Sequence, residues 1–360
     1  MVVRNRFRAA LLATSLLFAP LVDCGGVRRN KPRYTEEERQ AEYIKRGYEW
    51  PIQKFVPDTE GWTKLMSRRL SQIRANPNTQ QKWDGWIQTL SASLTVPNHT
   101  EFGWGLTHAP EKLTADLQTA IYEGLPTARL EGDIDVIDGE QPLFIDRPDL
   151  TSRVLNELQP ILEAWSGVEL EPYIAYGFRL YRDKSRLWMH VDRTRTHVIS
   201  CIYHIASSED AEPWPVVIED YDGNTNSVVL KPGDILLYES AKNFHGRPQQ
   251  FRGEWYTSVF VHFYPKEGWI TKKDRDIESH FAVPPNWSEQ EESPHPTLKW
   301  KGTSSFEPDC PDYWCKLISA VELEGPGEYG KVLTARGKTY SLNLDGEEEI
   351  VEDSDDDEEL

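Results

Sequence analysis

The sequence predicts a mainly β protein with flanking helices, on the basis of two contrasting patterns. From residue 172 onward, short runs rich in β-branched and aromatic residues follow one another between turn signals. Before that point, apolar residues recur at helical spacing instead. Six short strands within about 95 residues are typical of an all-β sandwich or a jelly roll, with the preceding helices packed on one outer face.

The predicted helices precede the β-rich part of the chain. In 61–75, five apolar residues fall at helical spacing, and 58–60 supplies a suitable N-cap region. Further helices are predicted over 113–122 and 150–165. The charged segment at 28–54 is expected to be part linker and part helix.

The predicted strands alternate with turns, of which 222–224 and 231–234 carry the strongest turn residues. The strands are predicted over 173–181, 197–205, 216–219, 227–230, 234–238 and 256–263. A hairpin is expected at 331–344, inside an otherwise irregular, proline-rich extension.

The charge distribution excludes one class of partner. The net charge is −19, and 345–360 holds eleven acidic residues and no basic residue. The rest of the chain is still acidic, whereas a nucleic-acid-binding protein needs a basic face. The run at 346–360 is typical of a solvated, disordered tail.

The first 24 residues have the layout of a secretory signal peptide. Three arginines precede an apolar run of 14 residues at 9–22, and small residues follow it. A bilayer span needs about 20 apolar residues, so no stable membrane span is expected. An uncleaved membrane anchor is the alternative.

Other features agree with the secretory pathway and with the endoplasmic reticulum. Asn98 and Asn286 begin Asn-x-Ser/Thr triplets, which accept glycans in secreted glycoproteins. Cys310 and Cys315 are close enough in sequence to form a short disulfide, with two free thiols as the alternative. The chain ends Asp-Glu-Glu-Leu, which shares two of four positions with the Lys-Asp-Glu-Leu retrieval signal.

His190-Val191-Asp192 is the first element of a candidate metal site. On a strand, residues two apart point to the same side, so this imidazole and this carboxylate can bind one ion. A distant histidine would complete a set of two histidines and one carboxylate, which is typical of non-haem iron(II) oxygenases. His245, presented by a loop after the turn and strand at 232–238, is the predicted third ligand.

The segment VVLKPGDILLYESAKNFHG, at 228–246, resembles the iron(II)/2-oxoglutarate-dependent dioxygenase superfamily and, within it, the prolyl 4-hydroxylase-like domains. In that family a P-G-D-x-L-x-F/Y strand precedes the distal histidine ligand, and a glycine follows eight residues later, here Gly253. A tyrosine stands nine residues before the first histidine ligand, here Tyr181. The resemblance covers about residues 172–265.

The resemblance implies a double-stranded β-helix that binds iron(II) through His190, Asp192 and His245. It also implies 2-oxoglutarate as the cosubstrate, converted to succinate and carbon dioxide while a substrate C–H bond is hydroxylated, with ascorbate as a candidate accessory. The expected substrate is a peptide or a small molecule, foremost a prolyl or other side chain of a secretory polypeptide. The alternatives are a jelly-roll binding module or pseudoenzyme without turnover, and an oxygenase that acts on a small metabolite.

One position departs from the family pattern. A lysine usually stands ten residues after the distal histidine and pairs with the far carboxylate of 2-oxoglutarate, whereas this chain has Trp255 there. Arg252 is the preferred replacement, with Arg247 close behind, because a guanidinium offers a two-pronged geometry suited to a carboxylate. A surface ion pair is the alternative role for each arginine. The predicted hydroxyl donors are Tyr181 and, secondarily, Thr257 and Ser258.

The remaining histidines of the predicted strands are given structural roles, at His197, His204 and His262. The predicted organisation is a signal peptide, a charged linker, a helical part that packs on the sheet, the jelly roll, an irregular extension and an acidic tail, at 1–24, 25–60, 61–171, 172–265, 266–345 and 346–360.

Overall fold

The computed structural model describes residues 34–50, 54–132, 136–269, 280–289, 299–301, 304–306, 318–319 and 329–344. The predicted signal peptide at 1–24, the Cys310 and Cys315 pair and the acidic tail at 346–360 lie outside the described residues. Within the described ranges, no helix is long and apolar enough to cross a membrane.

The three helices predicted over 61–75, 113–122 and 150–165 are confirmed. The helical segments are α1 (Glu36–Lys45), α2 (Glu60–Ala75), α3 (Thr79–Gly85), a π turn (Trp86–Leu90), α4 (Ser91–Thr95), α5 (Glu111–Gly124), a 3-10 turn (Leu125–Thr127) and α6 (Pro148–Ser166). Thr59 caps α2, because its hydroxyl accepts a hydrogen bond from the Trp62 backbone N–H.

The strands extend well beyond the six that the sequence predicts. They are β1 (Trp104–His108), β2 (Arg129–Leu130), β3 (Ile137–Asp138), β4 (Leu143–Ile145), β5 (Leu170–Arg182), β6 (Arg186–His190), β7 (Ile199–Ser207), β8 (Val216–Glu219), β9 (Thr225–Val228), β10 (Asp234–Tyr238), β11 (His245–Arg247), β12 (Trp255–Pro265), β13 (Lys299–Lys301), β14 (Ser304–Phe306), β15 (Ile318–Ser319), β16 (Lys331–Thr334) and β17 (Thr339–Ser341).

The order of the strands confirms a jelly-roll core. In the first sheet four neighbours run β10-β7-β12-β5, and in the second sheet four neighbours run β6-β11-β8-β9. From β5 to β12 the chain crosses between the sheets at each step, except at the β8–β9 hairpin. This alternation is the double-stranded β-helix, and we call its two sheets the major and the minor sheet.

Each sheet is covered on its outer face. Helices α5 and α6 pack on the major sheet, where Val259, Val261 and Leu180 point away from the barrel interior. Helices α2 to α4 contribute apolar side chains to a second cluster with Val217 and Phe244 of the minor-sheet side. These layers leave the alternate side chains of both sheets facing each other inside the barrel.

The segment predicted as helical, 61–171, also supplies strands. β1 pairs with β10 on one side and with β16 on the other, so it extends the major sheet. The hairpin predicted at 331–344 is confirmed as β16 and β17.

The prediction that a loop presents His245 is wrong, because His245 is the first residue of β11 and pairs with β6 and β8.

Candidate metal centre

The structure brings the three predicted metal ligands together at one end of the minor sheet. His190 ends β6, His245 begins β11, and the two residues are direct partners in the antiparallel register. Asp192 follows two residues after His190, and its backbone N–H donates to the Ser240 carbonyl at 2.8 Å. One ligand atom from each residue lies within 4.8 Å of the others, as a single ion requires.

Backbone carbonyls fix the orientation of both imidazole rings. The Nδ1 of His190 bonds the Trp188 carbonyl at 2.8 Å, and the Nδ1 of His245 bonds the Asn243 carbonyl at 2.9 Å. Because a carbonyl only accepts, Nδ1 carries the proton and Nε2 keeps its lone pair. The Nε2 of His190 lies 3.6 Å from Asp192 Oδ1, and the Nε2 of His245 lies 4.0 Å from Asp192 Oδ2. This second-partner arrangement is the usual one for metal-binding histidines.

The electrostatics of the site suit a cation. Burial lowers the pKa of His190 to about 4 and lowers that of His245 well below its usual value, so both rings are neutral at neutral pH. Burial raises the pKa of Asp192 to about 7, while a hydrogen bond from Ser240 opposes the rise. The buried Asp192 Oδ2 has no hydrogen-bond partner among the described residues. A divalent cation would satisfy that oxygen and both Nε2 lone pairs, so the residues present fit a metal.

Two histidines that the sequence analysis treats as structural lie beside this centre. The Nδ1 of His262, on β12, is 3.7 Å from Asp192 Oδ2 and 2.8 Å from the Ser200 hydroxyl. Its ring packs at a tilt of 46° against that of His197, with 4.1 Å between centroids. The signal for His262 is the alternation along β12, which places residues 256, 258 and 262 toward the interior while Val259 and Val261 join the outer core.

A serine pair links His262 to the backbone around Asp192. The Ser200 hydroxyl bonds the Ser240 hydroxyl at 2.6 Å, and the Ser240 hydroxyl shares its single proton between the His197 carbonyl, at 2.9 Å, and Asp192. All these groups are buried or nearly so. A connected polar network therefore lies beside the carboxylate of Asp192, whose side chain is 15 % exposed.

No family model and no curated protein matches the sequence. The solved structures similar to it include a prolyl-4-hydroxylase from Pseudomonas putida, with 19 % identity, 46 % of this chain and 93 % of that chain covered, and a TM-score of 0.37. An oxidoreductase of the 2OG-Fe(II) oxygenase family from Burkholderia pseudomallei has 13 % identity, coverages of 53 % and 93 %, and a TM-score of 0.34. HygX from Streptomyces hygroscopicus, solved with nickel and 2-oxoglutarate bound, has 9 % identity, coverages of 47 % and 85 %, and a TM-score of 0.35.

At these identities the likeness is one of fold.

The structure separates the two arginines predicted to bind 2-oxoglutarate. Arg252 is exposed, and its guanidinium reaches the Gln250 side chain at 3.5 Å. Arg247 is buried inside the barrel, in contact with Trp214 and Tyr256. The structure thus brings Arg247 to the interior, and it does not bring Arg252 there.

Trp255 lies on the opposite side of β12 from the interior. Its indole belongs to the outer core and packs edge-on against Tyr122 of α5, with 5.9 Å between ring centroids. The neighbouring residue Tyr256 faces inward and is the direct register partner of Tyr181 on β5. Residue 255 therefore cannot line the site, whatever its side chain.

Sequence reasoning also missed Arg179 of β5, which lies close enough to lower the pKa of His190 after the larger effect of burial. Arg179 forms a two-pronged ion pair with Glu131, at 2.6 Å and 2.8 Å, and donates to the Tyr181 hydroxyl at 3.4 Å. Its charge is thus already matched by a carboxylate. Only the alternation of β5, which puts residues 179 and 181 on one face, could have indicated it.

Proposed function

We propose that this chain is an iron(II)- and 2-oxoglutarate-dependent dioxygenase that binds the metal through His190, Asp192 and His245. The observation that carries the proposal is the convergence of two Nε2 atoms and one unpartnered carboxylate oxygen inside a double-stranded β-helix. Two histidines and one carboxylate on one face leave coordination positions open for a cosubstrate. Bound iron(II) would supply the oxidation chemistry that couples 2-oxoglutarate decarboxylation to hydroxylation of a C–H bond.

The chain's own residues bind and orient the reactants. The Trp188 and Asn243 carbonyls fix each imidazole through Nδ1, so each Nε2 would be available to a metal ion. The network of Ser200, Ser240 and His262 lies beside the Asp192 carboxylate and restricts its orientation.

Turnover and metal binding together test the proposal. Purified protein with iron(II), ascorbate and oxygen should convert 2-oxoglutarate to succinate, and His190→Ala or His245→Ala should abolish turnover. Both variants should weaken iron(II) binding, measured anaerobically, by more than about 100-fold, since loss of an outer partner alone costs about 10–100-fold. His108→Ala is the matched control, because His108 bonds Asp234 and is absent from the metal cluster.

The same two measurements distinguish the alternatives. Unchanged iron(II) affinity in His190→Ala and His245→Ala would overturn the triad. Tight metal binding without succinate, even uncoupled from a substrate, would instead favour a jelly-roll binding module or pseudoenzyme.

For the substrate, we propose a prolyl or other side chain of a secretory polypeptide in the lumen of the endoplasmic reticulum. The support is the layout of residues 1–24, the terminal Asp-Glu-Glu-Leu and the exposed Asn98 of the first glycosylation triplet. Proline-containing peptides should gain one oxygen atom by mass spectrometry. Turnover of 2-oxoglutarate with small metabolites but with no peptide would favour the metabolite oxygenase.

The compartment is tested separately from the chemistry. The full chain, expressed in eukaryotic cells, should carry endoglycosidase-sensitive glycans that Asn98→Gln combined with Asn286→Gln removes. A chain that shows no mobility shift and remains in the cytosol would contradict the proposed compartment.

A further inference from the structure

We infer that Glu239 is a positioning residue for the metal centre. Its carboxylate fastens residues 239–244, which we call the β10–β11 loop, to the segment 96–103, and the loop in turn orients Asp192 and His245. The inference rests on the proposed function, because it takes these two residues as ligands of iron(II). It makes the affinity for the metal depend on a carboxylate that is not part of the metal cluster.

The first support is the burial of the β10–β11 loop. Every residue of this loop is at most 3 % exposed, although the loop contains both Glu239 and Lys242. Connections between strands normally run over the surface, because a buried loop must find partners for all its polar groups. The partners on the two sides of this loop therefore indicate what it does.

The inner side of the loop contacts the metal ligands. The Ser240 carbonyl accepts a hydrogen bond from the Asp192 backbone N–H at 2.8 Å, and the Ser240 hydroxyl bonds the Asp192 side chain. The Asn243 carbonyl accepts from the His245 ring at 2.9 Å. Two of the three ligands thus take their orientation from this loop, so a shift of the loop would displace both.

The outer side of the loop is held by the carboxylate of Glu239. It accepts hydrogen bonds from the His99 N–H at 3.1 Å, the Thr100 N–H at 2.8 Å, the Thr100 hydroxyl at 2.7 Å and the Tyr221 hydroxyl at 2.9 Å. His99 and Thr100 belong to the segment 96–103, which joins α4 to β1. Hydrogen bonds to an ionised acceptor are about twice as strong as neutral ones, so this carboxylate is the main fastening between the loop and the segment.

Two further contacts fasten both ends of that segment to the loop. The Glu239 backbone N–H donates to the Gly103 carbonyl at 2.9 Å, and the Lys242 Nζ donates to the Val96 carbonyl at 3.0 Å. Lys242 also lies 5.1 Å from the centre of the Tyr221 ring. Burial lowers the pKa of Lys242 to about 7, and the charge of Glu239 opposes that fall. The Glu239 carboxylate therefore supports the second tether as well as forming the first.

The test separates metal binding from stability. Anaerobic calorimetry measures iron(II) affinity, the visible spectrum of the cobalt(II)-loaded protein reports the arrangement of the ligands, and urea denaturation measures the stability of the metal-free protein. Glu239→Ala removes every bond of the carboxylate, whereas Glu239→Gln keeps its shape and part of its hydrogen bonding. Val154→Ala is the control, because Val154 lies in the outer core and belongs to neither the β10–β11 loop nor the metal cluster.

We expect Glu239→Ala to weaken iron(II) binding roughly 10–100-fold, the usual cost of losing an outer partner of a metal site, and to alter the cobalt(II) spectrum. Glu239→Gln should recover part of both. Val154→Ala should lower the urea midpoint but keep the wild-type affinity and spectrum, because a cavity in the outer core affects stability alone.

Two outcomes would contradict these expectations in different ways. Wild-type affinity and spectrum in a less stable Glu239→Ala protein would show a purely structural carboxylate and overturn the inference while the proposed function stands. Failure of the wild type to bind iron(II) overturns both.

Thr100→Val decides the question if Glu239→Ala fails to fold. It removes one donor to the same carboxylate from the opposite side of the contact, so it should weaken iron(II) binding several-fold, and wild-type affinity would then overturn the inference. Where both variants fold, the double variant should lose no more affinity than Glu239→Ala alone, because both changes break one tether. Losses that add would overturn the shared tether.

Discussion

At the scale of single residues, the three proposed ligands depend on groups that no metal-binding motif contains. Asp192 has the most polar surroundings, because His262, Ser200 and Ser240 form a connected chain of hydrogen bonds beside its carboxylate. His262 is not one of the three residues whose ligand atoms come together, and its Nδ1 lies 3.7 Å from Asp192 Oδ2, so we regard it as a positioning residue for Asp192.

The role of His262 leads to a prediction with a built-in rescue. His262→Ala should weaken iron(II) binding about 10–100-fold, because the Asp192 carboxylate loses the neighbour that restricts its orientation. His262→Asn should retain most of the affinity, since an amide can replace Nδ1 as the partner of Ser200. Anaerobic calorimetric titration of iron(II) measures both.

The control for this prediction is again His108→Ala. His108 ends β1 and bonds Asp234, the first residue of β10, and it is absent from the metal cluster. Similar losses in His262→Ala and His262→Asn would indicate that bulk, rather than the hydrogen bond to Ser200, is what matters. Wild-type affinity in His262→Ala would contradict the positioning role altogether.

Residue-level prediction from the sequence succeeded where local geometry decides and failed where register decides. The sequence places His190 and Asp192 together because they are two residues apart, although β6 ends at His190 and the hydrogen bond from the Asp192 N–H to the Ser240 carbonyl holds Asp192 just beyond the strand. Counting ten residues from His245 leads to Trp255, but β12 turns that side chain toward α5 and turns Tyr256 inward. A shift of one residue exchanges the two faces of a strand, and spacing alone does not detect it.

At the scale of elements, α2 is tied to the strand beside the metal centre by a buried ion pair. Arg69 donates to the Glu219 carboxylate, and both side chains are fully buried. Glu219 ends β8, and its backbone bonds the two residues that precede His245. Its N–H donates to the Phe244 carbonyl at 2.9 Å, and its carbonyl accepts from the Asn243 side chain at 2.8 Å. The helix thus supports the strand that carries His245.

Replacing one partner of that pair should destabilise the protein far more than replacing both partners. Arg69→Met leaves the Glu219 carboxylate buried and uncompensated, so it should lower the free energy of unfolding by about 3–5 kcal/mol. Arg69→Met combined with Glu219→Met should restore much of that stability. Equilibrium denaturation in urea gives both values.

The matched control is Lys64→Met on the exposed face of α2, where Lys64 pairs with Glu60 in solvent. That change should leave the urea midpoint unchanged, because exposed pairs contribute little. A double variant less stable than Arg69→Met alone would contradict the argument that the buried charge causes the loss.

Element-level prediction from the sequence was best for long, periodic segments. Helices α2, α5 and α6 follow from their apolar spacing, and β8 and β10 have the predicted bounds. The strands that carry the histidines, β6 and β11, have only five and three residues. Strands β8 and β10 are equally short, but β8 is rich in β-branched residues and β10 directly follows the strong turn at 231–234. The sequences of β6 and β11, RLWMH and HGR, contain no β-branched residue, so pairing with neighbouring strands is what defines them.

At the scale of the whole molecule, the major sheet is assembled from segments far apart in the chain. Its central jelly-roll strands come from 170–265, whereas β1 comes from the region predicted as helical and β16 from the region predicted as irregular. Local patterns cannot indicate such recruitment, because it depends on edges that exist only in the folded protein. The hairpin at 331–344 was predictable, but its place beside β1 was not.

The C-terminal hairpin should therefore contribute to the stability of the whole fold. Val332 is fully buried in the outer core, close against Gly105 of β1, and Leu342 is 9 % exposed in the same core. Ending the chain at residue 328 removes both side chains and the partner of β1, so it should lower the free energy of unfolding by roughly 3–6 kcal/mol. A chain that ends at residue 344 keeps the hairpin and is the matched control.

Thermal unfolding should show a lower midpoint for the shorter chain, and Val332→Ala should reproduce part of that fall because it leaves a cavity against Gly105. Equal midpoints for the two truncated chains would mean that β1 is stable as an edge strand and that the hairpin is dispensable.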